Sequence, residues 1–134
     1  MPTPDPAREA AEPPELLVAC LCAQWCRTCD LYRDTLAHVR AAVAAAHAGA
    51  ATRFVWIDIE DEDELIGDLD IEDFPTVVLA RGGQVVFAGA ILPHAQTLER
   101  LVRAALEGNL PRPAAPWPLG VLELPARLEG RPGI

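Results

Sequence analysis

The fold of this chain is decided by residues 16–29, which read LLVACLCAQWCRTC. Residues 16–23 are all apolar, a pattern typical of a strand that is buried on both faces of a parallel sheet. Trp25 follows, and the tetrapeptide Cys26-Arg27-Thr28-Cys29 then opens a helical pattern. A C-x-x-C pair at a strand-to-helix turn indicates a thiol–disulfide redox site, whereas the same spacing without this context is also used by zinc sites.

Further helices and strands are predicted along the chain after this stretch. Leu31, Leu36, Val39 and Val43 form an apolar stripe on the first helix. The remaining elements follow from β-branched runs, turn residues and helical spacing. In chain order after the first strand we predict a helix over 27–47, a strand over 53–59, a short helix over 61–69, strands over 76–80 and 85–88 around a turn at 81–84, and a helix from Pro93 to about 107. This order predicts an α/β fold with a mixed four-stranded sheet and helices on both faces.

Proline-rich segments flank the predicted domain. Residues 1–13 are predicted to be a flexible N-terminus, residues 14–108 the domain, and residues 109–134 a Pro-rich tail. The strand over 53–59 would be an exposed edge of the sheet, which proteins usually protect. Because residues 120–124 are strand-like, we expect the tail to fold back over this edge or a neighbouring apolar surface.

The charge balance excludes several classes of partner. The chain has 11 basic and 20 acidic residues and a net charge of -9. Nucleic acids and anionic membranes both demand a positive surface, so we expect neither as a partner. No basic start leads into an apolar run, and no stretch reaches the roughly 18 apolar residues of a membrane span. We therefore expect the reducing cytoplasm as the compartment. We also expect a monomer.

The position of the cysteine pair gives it its chemistry. Unpaired N–H groups at the helix N-terminus favour a thiolate at Cys26, and Arg27 adds a positive charge beside it. Cys29 returns within one turn, close enough to form a disulfide and release a bound partner. All four cysteines lie within ten residues, so they cannot tie distant parts of the chain together.

The chain resembles the thioredoxin family in several motifs. They are Trp25-Cys26-x-x-Cys29 after a buried strand, Phe74-Pro75-Thr76 about 45 residues later, the turn at Gly82-Gly83, and the segment that closes with Gly89 and a last helix. The resemblance covers residues 14–108 and implies a minimal thioredoxin fold without the family's N-terminal strand and helix. It also implies a cis peptide bond at Pro75, substrate docking on the backbone around Phe74 and Thr76, and shielding of the site by Trp25.

The chain departs from the family pattern at several positions. Cys20 stands where many thioredoxins have a buried Asp that assists proton transfer, and Trp56 lies near the position of its Lys partner. Arg27-Thr28 replaces Gly-Pro between the cysteines, and Asp34 replaces a helix proline. We therefore expect Arg27, Thr28 and Cys20 to tune the thiolate, in a specialised relative rather than a general thioredoxin.

Cys20 and Cys22 leave three interpretations open. Buried free cysteine is a normal core residue, so core packing is the preferred interpretation for both. A regulatory disulfide that involves Cys20 or Cys22 is a second hypothesis. Metal or cluster binding is the third, although two cysteines on one strand face do not form a tetrahedral set with Cys26 and Cys29.

An acidic segment precedes the Phe74-Pro75 pair. Residues 58–73 contain ten acids and no base, and their spacing does not match a calcium loop. A solvated acidic face is the main interpretation, and steering of basic partners towards the site is our hypothesis. His38, His47 and His94 are scattered over helices and do not converge with the cysteines.

We predict a thiol–disulfide oxidoreductase that acts on the disulfides of other proteins, including basic proteins. Cys26 is the nucleophile and Cys29 the resolving thiol, and this exchange needs no metal or organic cofactor. The resemblance implies that a thioredoxin-reductase-like system or glutathione supplies the electrons. The alternative is a thioredoxin-like adaptor or redox-sensing binding module with little reductase activity.

Overall fold

A computed structural model describes residues 16–23, 25–62, 75–113 and 115–134. The N-terminus predicted to be flexible, most of the predicted helix over 61–69, and Phe74 lie outside these residues. Within them, the structure has four strands and three helices. They are β1 (Leu16–Cys22), α1 (Arg27–Ala46), β2 (Thr52–Asp58), β3 (Thr76–Arg81), β4 (Gln84–Ala90), α2 (Ala95–Glu107) and α3 (Leu119–Arg127).

The four strands form one mixed sheet in the order β2-β1-β3-β4. β1 runs parallel to β2 and antiparallel to β3, and β3 and β4 form an antiparallel hairpin. Gly82 and Gly83 occupy the hairpin turn with φ of 58° and 84°, the left-handed region that favours glycine. The α/β architecture predicted from the sequence is confirmed.

β1 is central and is buried along its whole length, as its continuous apolar sequence predicts. Its alternate side chains enter two separate buried clusters. On one side, Leu16, Val18, Cys20 and Cys22 pack with α1 and α2, and this side is called the cysteine face. On the other, Leu17, Ala19 and Leu21 pack with Val121, Leu124 and Leu128, and this side is called the aliphatic face.

The buried stripe of α1 differs from the predicted one at one position. Leu36, Val39 and Val43 are buried, but the side chain of Leu31 is 70% exposed, so its assignment to the stripe is wrong. Leu31 precedes Leu36 by five residues, which turns it well away from the core at 3.6 residues per turn. Tyr32, four residues before Leu36, is 1% exposed and takes the place in the core.

The tail packs on the sheet as a helix. Residues 120–124, which look strand-like in sequence, belong to α3, so the strand-like interpretation is wrong. Further along, the N–H of Ile134 donates to the carbonyl of Phe54 on β2 at 2.8 Å. Arg53 donates to the carbonyl of Arg131 at 2.8 Å. The tail thus contacts both the aliphatic face and the edge strand β2.

The last helix of the predicted domain begins slightly later than Pro93, at Ala95. His94 is its N-terminal cap residue, and Gly108 ends it in the left-handed conformation with φ of 74°. Leu98, Val102 and Leu106 are buried against the cysteine face, as their helical spacing predicts. Among the described residues, no helix is both long and apolar enough to cross a bilayer.

Candidate redox site

The turn between β1 and α1 places Cys26 at the N-terminal cap of the helix. Its N–H donates to the carbonyl of Ala23 at 3.1 Å, which closes the turn. Its own carbonyl accepts from the N–H groups of Cys29 at 3.1 Å and Asp30 at 3.3 Å. Cys26 therefore lies at the positive end of the helix dipole, where the sequence pattern places it.

Cys29 is joined in a disulfide to Cys22, with the two Cα atoms 5.7 Å apart. Cys22 ends β1 and Cys29 lies in the first turn of α1, so the bond links the strand to the helix across the turn. Cys26 is a free, half-buried thiol. Cys22 is buried in the core, as the preferred interpretation expects, but it is bonded rather than free, because the alternation along β1 turns its side chain towards the first turn of α1. The roles of Cys26 as nucleophile and Cys29 as resolving thiol remain predictions.

Cys20 lies two residues earlier on the same face of β1 and remains a free, buried thiol. Burial raises the pKa of Cys20 to about 12, because the thiolate would lose its hydration. Burial, followed by the charge of Cys20, also raises the pKa of Tyr32 above its ordinary range. The Tyr32 hydroxyl has no hydrogen-bond partner among the described residues. A thiol and a phenol thus occupy the region where the family pattern has a buried carboxylate.

The predicted docking backbone lies at the same end of the sheet. Thr76 opens β3 in register with Leu21 of β1, next to Cys22. Pro75 is buried, and its carbonyl accepts the N–H of Ile91 at 3.0 Å. The sheet therefore brings Pro75 and Thr76 close to the strand end that carries the disulfide.

The other predicted site residues differ in exposure. Trp25 is 70% exposed, and Arg27 is also exposed beside the cap residue. Thr28 is half-buried. Their assigned roles in shielding the site and tuning the thiolate remain predictions.

An acidic cleft of about 310 Å³ opens beside the disulfide. The guanidinium of Arg33 lies 5.0 Å from the centre of the Trp56 ring, in a cation–π contact at its wall. Asp58 accepts the N–H groups of Glu60 at 2.9 Å and Asp61 at 3.3 Å. The residues that line the cleft are Ala23, Cys29, Asp30, Arg33, Trp56, Asp58 and Asp61. Asp58 and Asp61 belong to the acidic segment noted in the sequence, whereas the contact of Arg33 with Trp56 at this cleft was not anticipated from the sequence.

Metal ligands do not cluster in the part of the chain that the structure describes. No group of three or more His, Cys, Asp or Glu side chains is arranged there to hold a metal ion. His38 and His94 are exposed, and His47 is half-buried at the end of α1.

The family model described as Thioredoxin matches residues 8–104 of the sequence. The chain belongs to the thioredoxin family. This confirms the family suggested by Trp25-Cys26-x-x-Cys29 and the Pro75 region. A comparison with curated protein sequences finds no match. Helix α3, residues 119–127, lies beyond the part of this thioredoxin-family protein that the family model matches.

Solved structures with the same fold include two thioredoxins. The germline-specific thioredoxin Deadhead from Drosophila melanogaster is 18% identical, with a TM-score of 0.56 over 72% of this chain and 85% of its own. Oxidised mitochondrial thioredoxin 3 from Saccharomyces cerevisiae is 23% identical, with a TM-score of 0.57 and the same coverage. The zinc-bound form of human ERp44 is 15% identical, with a TM-score of 0.60 over 71% of this chain but 26% of its own. At these identities, the likeness establishes the shared fold.

Proposed function

We propose that this protein is a thiol–disulfide oxidoreductase that acts on protein disulfides. The observation that carries the proposal is the free thiol of Cys26 at the N-terminal cap of α1, one turn before Cys29. The backbone N–H groups of the first helical turn favour negative charge at this position. The family match and the docking strand end around Pro75 support the same reaction class.

The reaction begins from the reduced protein. The Cys26 thiolate attacks one sulfur of a substrate disulfide, and the other substrate sulfur leaves as a thiolate. Cys29, as a thiolate, then attacks the Cys26 sulfur and displaces the first substrate sulfur. The substrate gains two electrons and the protein retains a Cys26–Cys29 disulfide. A thioredoxin-reductase-like enzyme or glutathione returns two electrons to complete the cycle.

The acidic cleft supports a preference for basic substrates. Asp30, Asp58 and Asp61 line it beside Cys29, and the net charge of the chain is -9. A positive segment next to the substrate disulfide would be drawn to this surface, and salt would weaken the attraction. Changing Asp30 and Asp61 to Asn should lower kcat/KM for a basic peptide disulfide by about three- to ten-fold at low salt. An equal change for an acidic peptide would contradict the preference.

Reduction of insulin disulfides in the presence of dithiothreitol tests the main proposal. The wild-type protein should accelerate the reaction over dithiothreitol alone, and Cys26→Ser should reduce that acceleration by at least about 100-fold. Thermal unfolding of the Cys26→Ser variant serves as the folding control. A wild-type protein no faster than dithiothreitol alone would contradict the proposal.

A second candidate function is a redox-sensing adaptor. The observation that favours it is the Cys22–Cys29 disulfide, which leaves Cys26 without Cys29 as a resolving thiol. An adaptor would bind its partner with similar affinity in the wild-type protein and the Cys26→Ser variant, without insulin reduction by either.

A further inference from the structure

Three cysteines lie at the junction of β1 and α1. Cys22 and Cys29 are 1% and 2% exposed and belong to the buried cluster of the cysteine face. Cys26 is half-buried and packs against the same cluster. Cys29 therefore has two neighbouring cysteines: Cys22 across the strand-to-helix turn, and Cys26 one turn earlier at the helix cap.

We propose that Cys22 is a third redox residue, which replaces Cys26 as the disulfide partner of Cys29. Cys26 is then a free thiol in the oxidised protein. The inference rests on the proposed function, since it concerns the step after substrate reduction. The Cys22 thiolate attacks the Cys29 sulfur of the Cys26–Cys29 disulfide. The Cys26–Cys29 bond breaks, the Cys22–Cys29 bond forms, and Cys26 leaves as a thiolate. The proton lost by Cys22 passes to solvent, and no electrons are gained or lost overall.

The burial of the three residues gives this exchange its direction. A disulfide is uncharged and suits the buried position of Cys22, whereas the sulfur released at Cys26 is half-exposed at a helix N-terminus. Cys20, buried on the same strand face, shows that a free sulfur there stays a neutral thiol, because burial raises its pKa to about 12. Exchange replaces a neutral, buried thiol at Cys22 by a half-buried sulfur at Cys26, where a thiolate keeps part of its hydration and lies at the helix N-terminus, so the Cys22–Cys29 form is favoured.

A change of activity follows from the exchange. With Cys29 held by Cys22, a mixed disulfide at Cys26 no longer has its resolving thiol. Cys26 can still attack a disulfide such as oxidised glutathione, retain one half and release the other as a thiolate. The protein then behaves as a dithiol reductase when reduced and as a single-thiol capture site when oxidised.

Disulfide mapping of the full chain tests the exchange. The reduced protein is oxidised with diamide, its remaining thiols are blocked with N-ethylmaleimide, and it is digested with trypsin and chymotrypsin. Cleavage after Leu21, Trp25, Arg27 and Arg33 separates the peptides that contain Cys20, Cys22, Cys26 and Cys29. We expect Cys22–Cys29 to exceed Cys26–Cys29 by on the order of ten-fold, with Cys26 carrying the maleimide. Cys29 linked mainly to Cys26, or to Cys20, would overturn the proposal.

Matched cysteine variants sharpen the test. Cys22→Ala should pair Cys29 with Cys26, which removes the maleimide-reactive thiol at Cys26 and the persistent glutathione adduct. Cys20→Ala changes a buried cysteine on the same strand face and should leave the Cys22–Cys29 link in place. A glutathione adduct that persists equally in the wild-type protein and the Cys22→Ala variant would overturn the proposal. Mapping of the wild-type protein decides the pairing even if Cys22→Ala does not fold.

Failure of the exchange can be told from failure of the proposed function. If the wild-type protein reduces insulin but its oxidised form contains only Cys26–Cys29, the exchange is wrong and the oxidoreductase stands. If the mapping gives Cys22–Cys29 but the reduced protein does not accelerate insulin reduction, the oxidoreductase is wrong. In that case the capture of glutathione by Cys26 is retained as a property of the oxidised protein.

Discussion

The two faces of the sheet differ in chemistry although they share strand β1. The cysteine face contains Cys20 and Cys22 and packs against α1, whose first turn supplies Cys29. The buried cluster of the aliphatic face consists of Leu, Ile, Val and Ala side chains among the described residues, and α3 covers it. Side chains of successive strand residues point to opposite faces, so reactive and inert surfaces can be built from one strand. We therefore predict that exchange chemistry and a large share of the stability can be altered separately in this protein.

The largest expected effect is on the cysteine face. Cys29→Ala should reduce insulin turnover by at least about 100-fold, because a mixed disulfide at Cys26 would have no resolving thiol. The mixed disulfide should accumulate and be visible on a non-reducing gel. Unfolding of the reduced variant by urea should show a loss of only about 1 kcal/mol in the free energy of unfolding. A loss of several kcal/mol would mean that the two faces are not separable.

The next effect is on the aliphatic face. Leu124→Ala should lower the free energy of unfolding by about 3 kcal/mol, because the Leu124 side chain of α3 is fully buried against the sheet and its removal leaves a cavity. The matched control is Leu122→Ala on the same helix, where the side chain is 47% exposed and the change should stay within about 0.5 kcal/mol. Insulin turnover per folded molecule should not change in either variant. A loss of turnover in proportion to the loss of stability would show that the two faces cannot be altered separately.

A smaller effect follows from the buried thiol of Cys20. Its pKa is raised from 9.0 to about 12 in the folded protein, so the unfolded chain loses this proton at lower pH. The stabilisation is present in full below pH 9 and is lost as the pH rises towards 12. The loss amounts to at most about 1.4 kcal/mol per pH unit. Urea unfolding between about pH 8 and about pH 11 should show a shallower decline for Cys20→Ala than for the wild-type protein. Parallel declines would show that Cys20 does not titrate as the structure indicates.

The smallest effect is expected at Tyr32. Its hydroxyl is buried without a hydrogen-bond partner among the described residues, so Tyr32→Phe removes a polar group that folding must desolvate. The free energy of unfolding should stay the same or rise by up to about 1 kcal/mol. A loss of more than about 1 kcal/mol would show that the hydroxyl makes a stabilising contact.

Most of the fold follows from local sequence signals. The continuous apolar run of β1 and the glycine pair at the β3–β4 turn each identify their element. α3 was harder to predict, because its leucines lie among prolines, including Pro125 within the helix. Its helical form follows from packing on the aliphatic face, which only the assembled sheet provides.

The position of the candidate redox site follows from the sequence, but the disulfide pairing does not. Cys26 lies at the helix cap, as predicted from the C-x-x-C spacing. The alternation along β1 predicts which face of the sheet Cys22 lies on. To predict its pairing with Cys29, one must also know where along β1 the first turn of α1 crosses that face. The 5.7 Å separation between the Cα atoms of Cys22 and Cys29 results from this crossing and from no local pattern.

Trp56 places a fluorescent side chain in the cleft that Cys29 also lines. Trp56 lines the same cleft as Cys29, and the Arg33 guanidinium holds a position over its ring. Because Trp56 and Cys29 line one cleft, we expect the fluorescence of Trp56 to differ between the reduced and the oxidised protein. The emission of the unlabelled protein should then report the oxidation state of Cys29.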